Sequence, residues 1–244
     1  MTYRETRRIL LDGNIVDVVR QGDTLVAHDG REVGVDDAQH LPPVVPSKIV
    51  CVHLNYSSRV QEMMTRLPPA PTYFHKPVSA LNAHGSAVVR PMGCKWLNYE
   101  GEIAIVIGRT ARNISPEDAG GYIRGYTIGN DYGLHDFRDT DSGSMLRVKG
   151  ADTLCPIGPG LVEGWDFRHK QIRTLVNGEV KQDGNTGQMI FACDVLVEFI
   201  TAVMTLLPGD VILTGTPAGV GPLVAGDVVE VEIEKIGVLR NTVA

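Results

Sequence analysis

The sequence predicts a mainly β fold of mixed α+β type with a few short helices. Segments with strand character outnumber helical segments along the 244 residues, and the two kinds do not alternate regularly. A doubly wound parallel sheet requires regular alternation, so that architecture is disfavoured. The Asn177-Gly178 pair between two short apolar segments is typical of an antiparallel hairpin. The expected sheet is therefore mixed and mainly antiparallel.

Length and composition predict one main domain with a small N-terminal unit. Hydrophobic residues make up 43% of the chain and charged residues 21%, close to the averages of globular proteins. Residues 1–45 alternate short apolar pieces with turn residues, and a cluster of prolines ends this stretch. The pattern predicts a small β subdomain over residues 1–45 and the main domain over residues 46–244.

The main domain begins with a predicted strand at residues 49–54, followed by a helix that is capped by Ser57 and runs to Arg66. A proline-rich loop at residues 68–71 comes next. Apolar β-forming residues then recur in short runs that predict further strands. These strands are expected at residues 87–90, 102–107, 126–130, 173–176, 211–214 and 228–233.

Two more helices are predicted between these strands. One starts at Ser115, where a capping residue is followed by Pro116 and two acids, a pattern that favours a helix N-terminus. The other spans residues 194–207, where the apolar spacing is helical and Pro208-Gly209 provides a stop.

Charge and hydropathy exclude several classes of partner. The formal net charge is −6 and no run of Lys and Arg offers a local exception, so a nucleic acid is not expected. No apolar stretch approaches the ~20 residues that cross a bilayer, and the N-terminus lacks a signal-peptide pattern. We therefore expect no membrane partner and a cytoplasmic protein. The scattered cysteines predict reduced core thiols and no zinc site.

Glu100 and Glu102 are two residues apart on a predicted strand, so their side chains point to the same face. Residues 103–107 are continuously apolar, which is typical of a strand buried on both sides. Two carboxylates beside such a strand need a compensating charge, and a hard divalent cation supplies it. Residues 230–234 show the alternative, because their acids alternate with apolar residues as on a half-solvated strand. The pattern alone leaves both interpretations open for Glu100 and Glu102.

Asp131, Lys149 and His135 are further candidates. Asp131 ends a predicted strand, where site residues are common, although an ordinary turn aspartate has the same pattern. Lys149 could neutralise a substrate carboxylate or a developing enolate, although a surface lysine would look the same. The histidines show no zinc-binding spacing, and His135, four residues after Asp131, is the best candidate for proton transfer.

Five motifs together resemble the fumarylacetoacetate hydrolase family. They occur in the family's order and spacing, and the similarity runs from about residue 49 to the C-terminus. The sequence looks most like the isomerase/decarboxylase branch that acts in homoprotocatechuate breakdown. The motifs are N-Y-E-G-E-I-A-I-V-I-G (98–108), G-Y-T-I-G-N-D-Y (125–132), L-R-V-K (146–149), V-N-G-E-V (176–180) and L-P-G-D-V-I-L-T-G-T-P (207–217).

The resemblance implies a β-sandwich roll, a homodimer and a bound Mg²⁺ or Mn²⁺ ion. The implied metal ligands are Glu100, Glu102 and Asp131, and Lys149 would face the substrate as a catalytic residue. The predicted substrate contacts are Lys76 in the F-x-K-P segment, Thr216 in the T-G-T-P turn, and Asn130, which precedes Asp131.

One segment departs from the family. Many members read L-N-Y-x-x-H after the first core strand, and that histidine acts with a nearby glutamate on water or protons. This sequence has Arg59 at the matching position. An arginine has a pKa above about 12 and cannot act as a general base near pH 7, but its planar fork suits a substrate carboxylate. Arg59 is therefore predicted to bind substrate, and Glu62, at helical spacing from it, stays a candidate catalytic residue.

These features predict a divalent-metal-dependent isomerase or decarboxylase of small unsaturated 2-oxo dicarboxylates or 2-hydroxy-dienoates. The cation would polarise the keto group, and with Lys149 it would stabilise the enolate left by loss of CO₂ or a proton. One alternative is hydrolysis of a C–C bond in an acylpyruvate at the same site. Another is a non-catalytic β module whose acids hold a structural Ca²⁺.

Overall fold

The computed structural model describes residues 3–244 and is built mainly from β-strands. The mainly β, mixed α+β fold predicted from the sequence is confirmed. Within residues 3–244, no helix has the length and apolar character needed to cross a membrane. In chain order the strands are β1 (Arg4–Leu11), β2 (Asn14–Gln21), β3 (Thr24–Ala27), β4 (Glu32–Gly34), β5 (Gln39–Leu41), β6 (Ile49–His53), β7 (Thr72–Lys76), β8 (Leu81–Ala83), β9 (Ala87–Val88), β10 (Leu97–Asn98), β11 (Gly101–Ile107), β12 (Ile123–Asn130), β13 (Gly133–Leu134), β14 (Cys155–Glu163), β15 (Gln171–Val176), β16 (Glu179–Asn185), β17 (Val211–Leu213), β18 (Pro222–Leu223), β19 (Val228–Ile233) and β20 (Gly237–Val243).

The helices are short and lie between the strands. The α-helices are α1 (Ser57–Glu62), α2 (Leu146–Lys149) and α3 (Cys193–Val203). Single 3₁₀ turns occur at Val78–Ala80, Ala119–Gly121, His135–Phe137 and Thr186–Gln188.

Three sheets make up the fold. The largest has the order β4-β3-β2-β1-β14-β12-β11-β17-β6-β7, with β5 paired to β1 and β8 paired to β14. A second sheet has the order β16-β15-β19-β20-β9, and a small third sheet has the order β13-β10-β18. The pairs β14/β8, β17/β6 and β20/β9 are parallel and the remaining pairs are antiparallel, in agreement with the predicted mixed, mainly antiparallel arrangement.

The first five strands form an antiparallel unit around a small core of their own. Ile9, Val18, Leu25 and Ala27 fill that core. β1 also pairs with β14, so backbone hydrogen bonding continues from this unit into the main sheet. The antiparallel strands predicted for this region are confirmed, and the division of the chain at residue 45 stays a prediction.

β11 lies in the centre of the large sheet and is buried along its whole length, as its continuous apolar sequence predicts. Antiparallel neighbours flank it on both sides, β12 on one and β17 on the other. Ile103 and Ile105 pack into the core that contains α3, whereas Ala104 and Val106 pack into the core on the opposite face. Because side chains alternate along a strand, Glu102 shares the face of Ala104 and Val106.

The other predicted strands form close to their expected positions. Residues 102–107, 126–130, 173–176, 211–214 and 228–233 fall in β11, β12, β15, β17 and β19, and residues 49–54 fall in β6. The strand predicted at residues 87–90 is shorter, because only Ala87–Val88 pair with β20. The predicted hairpin at Asn177-Gly178 joins β15 to β16. β19 alternates buried and half-buried residues, as predicted for a half-solvated strand.

Two of the three predicted helices form. α3 lies within the predicted span of residues 194–207, apart from its first residue, and its apolar face packs into the large core. α1 has Tyr56 instead of Ser57 at its N-cap, so Ser57 is its first residue, and it ends at Glu62 instead of Arg66. The chain leaves the helix there because Met64 has a left-handed backbone conformation, with φ of 49°.

The α-helix predicted at Ser115 is wrong. The Ser115 hydroxyl does accept a hydrogen bond from the Asp118 N–H, so the capping signal is used. The segment nevertheless forms only a turn and the 3₁₀ helix Ala119–Gly121 before β12 begins at Ile123. Two consecutive glycines at this point carry a high entropic cost in a helix, which explains why no further turn is added.

Candidate active site

Glu100, Glu102 and Asp131 meet where two central strands pair. Glu100 directly precedes β11, Glu102 is its second residue, and Asp131 directly follows β12. The register pairs Gly101 with Asn130, so the antiparallel ladder places the acids side by side. The Asp131 N–H also donates to the Glu100 carbonyl at 2.8 Å. One carboxylate oxygen of each acid lies within 4.8 Å of the others, so the structure brings the predicted metal ligands together.

Two glycines allow the backbone approaches that position Glu102. A Cβ at Gly101 would overlap Thr174 Oγ1 and lie 2.9 Å from Val231 Cγ1. Gly215 has φ of +94°, and a Cβ there would lie 2.7 Å from Asn55 Cβ. In this conformation the Gly215 N–H donates to Glu102 Oε2 at 2.7 Å. The glycines of the E-G-E and T-G-T-P motifs are therefore required by close packing at the site.

Two buried lysines offset the charges of two of the acids. Lys149 Nζ lies 2.7 Å from Glu100 Oε2 and 2.8 Å from Asp131 Oδ2, and Lys76 Nζ lies 2.6 Å from Asp131 Oδ1. Burial acts to raise the pKa of Asp131, but the ammonium groups of Lys149 and Lys76 outweigh it and hold that pKa below its usual value. Burial acts in the opposite sense on Lys149, where the charges of Asp131 and Glu100 prevail and raise the pKa. Lys149 is therefore charged at neutral pH.

Glu102 has no such partner. Its side chain is only 1% exposed, and the ion pairs formed by residues 3–244 do not include it. Burial, followed by the charges of Asp131 and Glu100, raises its pKa well above the usual value. An ionised carboxylate in such a place needs a compensating cation. A bound proton serves in the free protein, and a hard divalent cation held by Glu100, Glu102 and Asp131 fits these oxygen donors and would displace that proton.

Arg59 and Glu62 form an ion pair at the edge of this cluster. Arg59 Nη1 lies 2.5 Å from Glu62 Oε2, and Arg59 Nη2 lies 3.7 Å from Glu100 Oε1. Glu62 Oε1 in addition accepts a hydrogen bond from the Gly219 N–H at 2.9 Å. Glu62 therefore holds Arg59 toward the acids and ties α1 to the segment that follows the T-G-T-P turn.

A cavity of about 40 Å³ opens beside the acids. A water molecule takes up about 30 Å³ of liquid volume, so a substrate needs side chains at the rim to move aside. A larger groove of about 810 Å³ lies on the N-terminal strands and contains none of the predicted site residues. The predicted site residues that line the small cavity are Arg59, Glu100, Glu102, Asp131, His135, Lys149 and Thr216.

One protein family matches most of the chain. The family described as fumarylacetoacetate (FAA) hydrolase, C-terminal, matches residues 48–244. The chain belongs to the fumarylacetoacetate hydrolase family. This membership confirms the resemblance read from the five sequence motifs, together with the family's fold.

Relatives and a solved structure show which members of the fumarylacetoacetate hydrolase family are similar. An uncharacterized protein of Methanocaldococcus jannaschii is 47% identical over 209 residues, which cover 86% of this chain and 88% of that protein. The 4-hydroxyphenylacetate degradation bifunctional isomerase/decarboxylase of Escherichia coli is 37% identical over 88% of this chain and 51% of that protein. The crystal structure of 5-carboxymethyl-2-hydroxymuconate delta-isomerase from Mycobacterium smegmatis has a TM-score of 0.91 and 39% identity, covering 98% of each chain.

Asn130 and Lys76 contact the acid cluster without lining the cavity. Asn130 Oδ1 accepts a hydrogen bond from the Glu100 N–H at 2.8 Å, and Lys76 binds Asp131. Thr216 lines the cavity, but its hydroxyl donates to the Gly101 carbonyl at 2.9 Å. Lys76, Asn130 and Glu62 do not line the cavity as it stands. Their predicted roles in substrate binding or catalysis stay predictions.

Several residues of the site carried no recognised signal in the sequence. Gln182 is fully buried, accepts from the Gly101 N–H at 3.0 Å and donates to Thr216 Oγ1 at 2.8 Å. His53 and Arg138 line the cavity. His53 could have been identified as a site residue from its position, because it ends β6 next to the family's L-N-Y segment. Gln182 and Arg138 reach the site only through the tertiary fold.

The two histidines of the cavity have lowered pKa values. Burial lowers the pKa of His135 to about 4 and also lowers the pKa of His53. Both rings are therefore neutral at pH 7, and each offers a nitrogen that can accept a proton.

Proposed function

We propose that this protein is a divalent-metal-dependent isomerase or decarboxylase of small unsaturated 2-oxo dicarboxylates or their 2-hydroxy-dienoate forms. Glu100, Glu102 and Asp131 would hold Mg²⁺ or Mn²⁺. The observation that carries this proposal is the buried carboxyl of Glu102, which has two further acids beside it and no lysine or arginine of the described chain bound to it. The relatives named as an isomerase/decarboxylase and a delta-isomerase support the same reaction class.

The chain's own groups can stabilise the charge that such reactions generate. The bound cation supplies Lewis-acid polarisation of a substrate carbonyl. Lys149 is buried to 3% exposure and points its ammonium group at the acid cluster, where it faces a substrate oxygen that gains negative charge. Phe74 and Val148 form apolar walls beside it. A low local polarity strengthens the attraction between that oxygen and Lys149.

Other residues of the cavity can orient the substrate and move protons. Arg59 Nη2 lies 3.7 Å from Glu100, too far for a hydrogen bond, so this nitrogen can still donate to a substrate carboxylate. The neutral rings of His53 and His135 can take a proton from one carbon and return it to another, as a double-bond shift requires. Decarboxylation breaks the bond to CO₂ with charge stabilisation alone, and the enolate that is left then takes one proton from solvent.

A metal-dependent assay tests the proposal. Oxaloacetate and a 2-hydroxymuconate-type dienoate are incubated with Mg²⁺ or Mn²⁺, and CO₂ release and the ultraviolet spectrum of the enol are followed together. We expect CO₂ release or a spectral change that chelator abolishes. No response from either substrate, with a protein that still binds metal, would contradict the proposal.

Two variants make the assay specific to the acid cluster. Glu102→Gln should abolish the metal-dependent reaction while the fold is retained. Glu230→Gln is the matched control, since Glu230 lies half-buried on β19 and forms only a surface ion pair with Arg240 at 3.3 Å. Equal activity of both variants would show that the cluster is not the site.

A second candidate function is hydrolysis of a C–C bond in an acylpyruvate on the same metal. The neutral rings of His53 and His135 favour it, because hydrolysis needs a general base and Arg59 cannot serve as one. Incubation with acylpyruvates and detection of pyruvate together with a carboxylic acid distinguishes this reaction from isomerisation and decarboxylation.

We further propose that the active form is a homodimer. The support is the family resemblance and two exposed apolar side chains that flank the β10/β18 pair, Trp96 and Val224. These side chains are 46% and 59% exposed. Sedimentation equilibrium at micromolar protein tests it, and a species of 26.5 kDa alone would contradict it.

A further inference from the structure

The positive charges around the cavity are bound to acids with one exception. Lys149 binds Glu100 and Asp131, and Arg59 binds Glu62. Arg138 also lines the cavity, but within residues 3–244 its guanidinium makes no ion pair and donates no hydrogen bond. Its side chain is exposed, so its charge is hydrated in the free protein and available to a ligand.

Arg138 is held beside the two histidines of the cavity. It follows the 3₁₀ helix His135–Phe137, and its backbone N–H donates to the His135 carbonyl at 3.1 Å. Burial is the main cause of the lowered pKa of both His53 and His135, and the charges of Lys149 and then Arg138 lower it further. Arg138, His53 and His135 line the same cavity.

The cavity lining combines charged groups with apolar surface. The acid cluster and Lys149 contribute one set of charges. The walls include Met63, Phe74 and Met145, which suit the carbon skeleton of a small acid. Arg138 supplies a positive charge that the acid cluster does not use.

We propose that Arg138 binds the second carboxylate of the substrate and thereby sets a preference for 2-oxo dicarboxylates over 2-oxo monocarboxylates. This inference rests on the proposed function, in which the 2-oxo acid group binds at the acid cluster. A guanidinium binds a carboxylate through two parallel hydrogen bonds, which gives direction as well as charge. Arg138 loses no protein partner when the carboxylate arrives, whereas Lys149 and Arg59 would have to share theirs.

The test uses two ligands of equal chain length. 2-Oxoadipate carries a second carboxylate and 2-oxohexanoate does not, and both are titrated calorimetrically into the Mn²⁺-loaded protein. A charge-assisted hydrogen bond contributes ~1.5 kcal/mol or more, so the wild-type protein should bind 2-oxoadipate about tenfold more tightly. Arg138→Gln should abolish this preference and leave the affinity for 2-oxohexanoate unchanged. Arg138→Lys should keep part of it, because charge remains without the planar fork.

Arg109→Gln is the matched control. Arg109 is exposed beyond the end of β11 that lies away from Glu102, and its removal changes the net charge by the same amount. It should retain the full preference for 2-oxoadipate. Equal binding of both ligands by the wild-type protein, or an equal loss for both in Arg138→Gln, would overturn the role of Arg138. Mn²⁺ binding without binding of either acid would instead overturn the proposed function, and the assignment of Arg138 with it.

Discussion

Replacing Glu102 with glutamine should stabilise the metal-free protein and weaken metal binding at the same time. Glutamine keeps the shape of the side chain and an oxygen that can accept the Gly215 N–H. Its amide group carries no negative charge and has an N–H that can donate a hydrogen bond to the carboxylate of Asp131 or Glu100. The substitution therefore removes a repulsion that the wild-type protein tolerates only at a cost in stability.

The size of the effect follows from the spacing of the acids. An ionised Glu102 repels a second carboxylate at the 4.8 Å limit of the cluster by about 3 kcal/mol at an effective dielectric constant of ~20, and its raised pKa means that a bound proton relieves part of this at neutral pH. Lys149 and Lys76 offset much of the charge of the two neighbouring acids, which reduces the expected gain to about 1–2 kcal/mol. Loss of one of three anionic ligands should weaken Mn²⁺ binding by at least about tenfold, or ~1.4 kcal/mol.

Denaturant unfolding with chelator and then with Mn²⁺ measures both effects in one experiment. In chelator, Glu102→Gln should unfold at a higher denaturant concentration than the wild type, and Glu230→Gln should match the wild type within about 0.5 kcal/mol. Saturating Mn²⁺ should then stabilise the wild type and Glu230→Gln far more than Glu102→Gln, because only tight binding to the folded state raises its stability. A Glu102→Gln protein that is less stable in chelator, or fully stabilised by Mn²⁺, would refute the reasoning.

Three further substitutions have defined outcomes. Lys149→Met should lower kcat by about 10²–10³-fold while Mn²⁺ still binds, because it removes the ammonium group that faces the developing charge; kinetics and Mn²⁺ titration measure the two quantities. Arg59→Met should raise KM for a 2-oxo acid about tenfold with a smaller change in kcat, because it removes a carboxylate donor. Asp210→Asn should destabilise the protein by about 2–4 kcal/mol in denaturant unfolding, because the fully buried carboxylate accepts the Leu207 N–H at 2.7 Å and binds Lys48 at 2.5 Å.

The pH dependence of Asp210 has a definite sign. Burial acts to raise its pKa, but the hydrogen bonds from Leu207 and Lys48 outweigh burial and lower it. Because the folded pKa lies below the unfolded value of about 4, the stability that Asp210 contributes is complete at neutral pH and is lost as the pH falls below about 4. The difference between wild type and Asp210→Asn should therefore shrink in acid, and a constant difference would contradict this account.

Each of the other two predictions has an outcome that contradicts it. Unchanged kcat in Lys149→Met would exclude charge stabilisation by that lysine. An Arg59→Met protein whose KM is unchanged while its kcat collapses would assign Arg59 to the chemistry instead of to substrate binding.

The acid cluster was predictable from the sequence because it depends on patterns within two neighbouring strands. Glu100 and Glu102 are two apart on one strand, and Asp131 ends the next strand along the chain, so strand periodicity and antiparallel pairing suffice to bring them together. Lys76 was predicted only through a family segment. The sequence did not indicate that it binds Asp131, because that contact depends on how β7 packs at the far edge of the sheet.

Features that depend on several distant partners were not predictable. Arg138 differs from the other cations of the cavity only because those cations are already bound to acids, and no spacing in the sequence records that. Gln182 fills a buried space between Gly101 and Thr216, which only the packed sheets create. The failed helix at Ser115 shows the converse, since a correct local capping signal was overridden by the glycines and the strand that follow it.

Because the acids lie on paired strands, cation binding and substrate preference depend on different parts of this protein. Shifting Glu102 or Asp131 would require the β11/β12 ladder to change register, which would turn buried side chains to the wrong face. Arg59 and Arg138 instead lie on a six-residue helix and on a turn after a 3₁₀ helix, segments that can be exchanged without touching that ladder. Grafting these two segments between relatives should therefore exchange substrate preference while leaving cation binding intact, so new specificities can arise on an inherited catalytic centre.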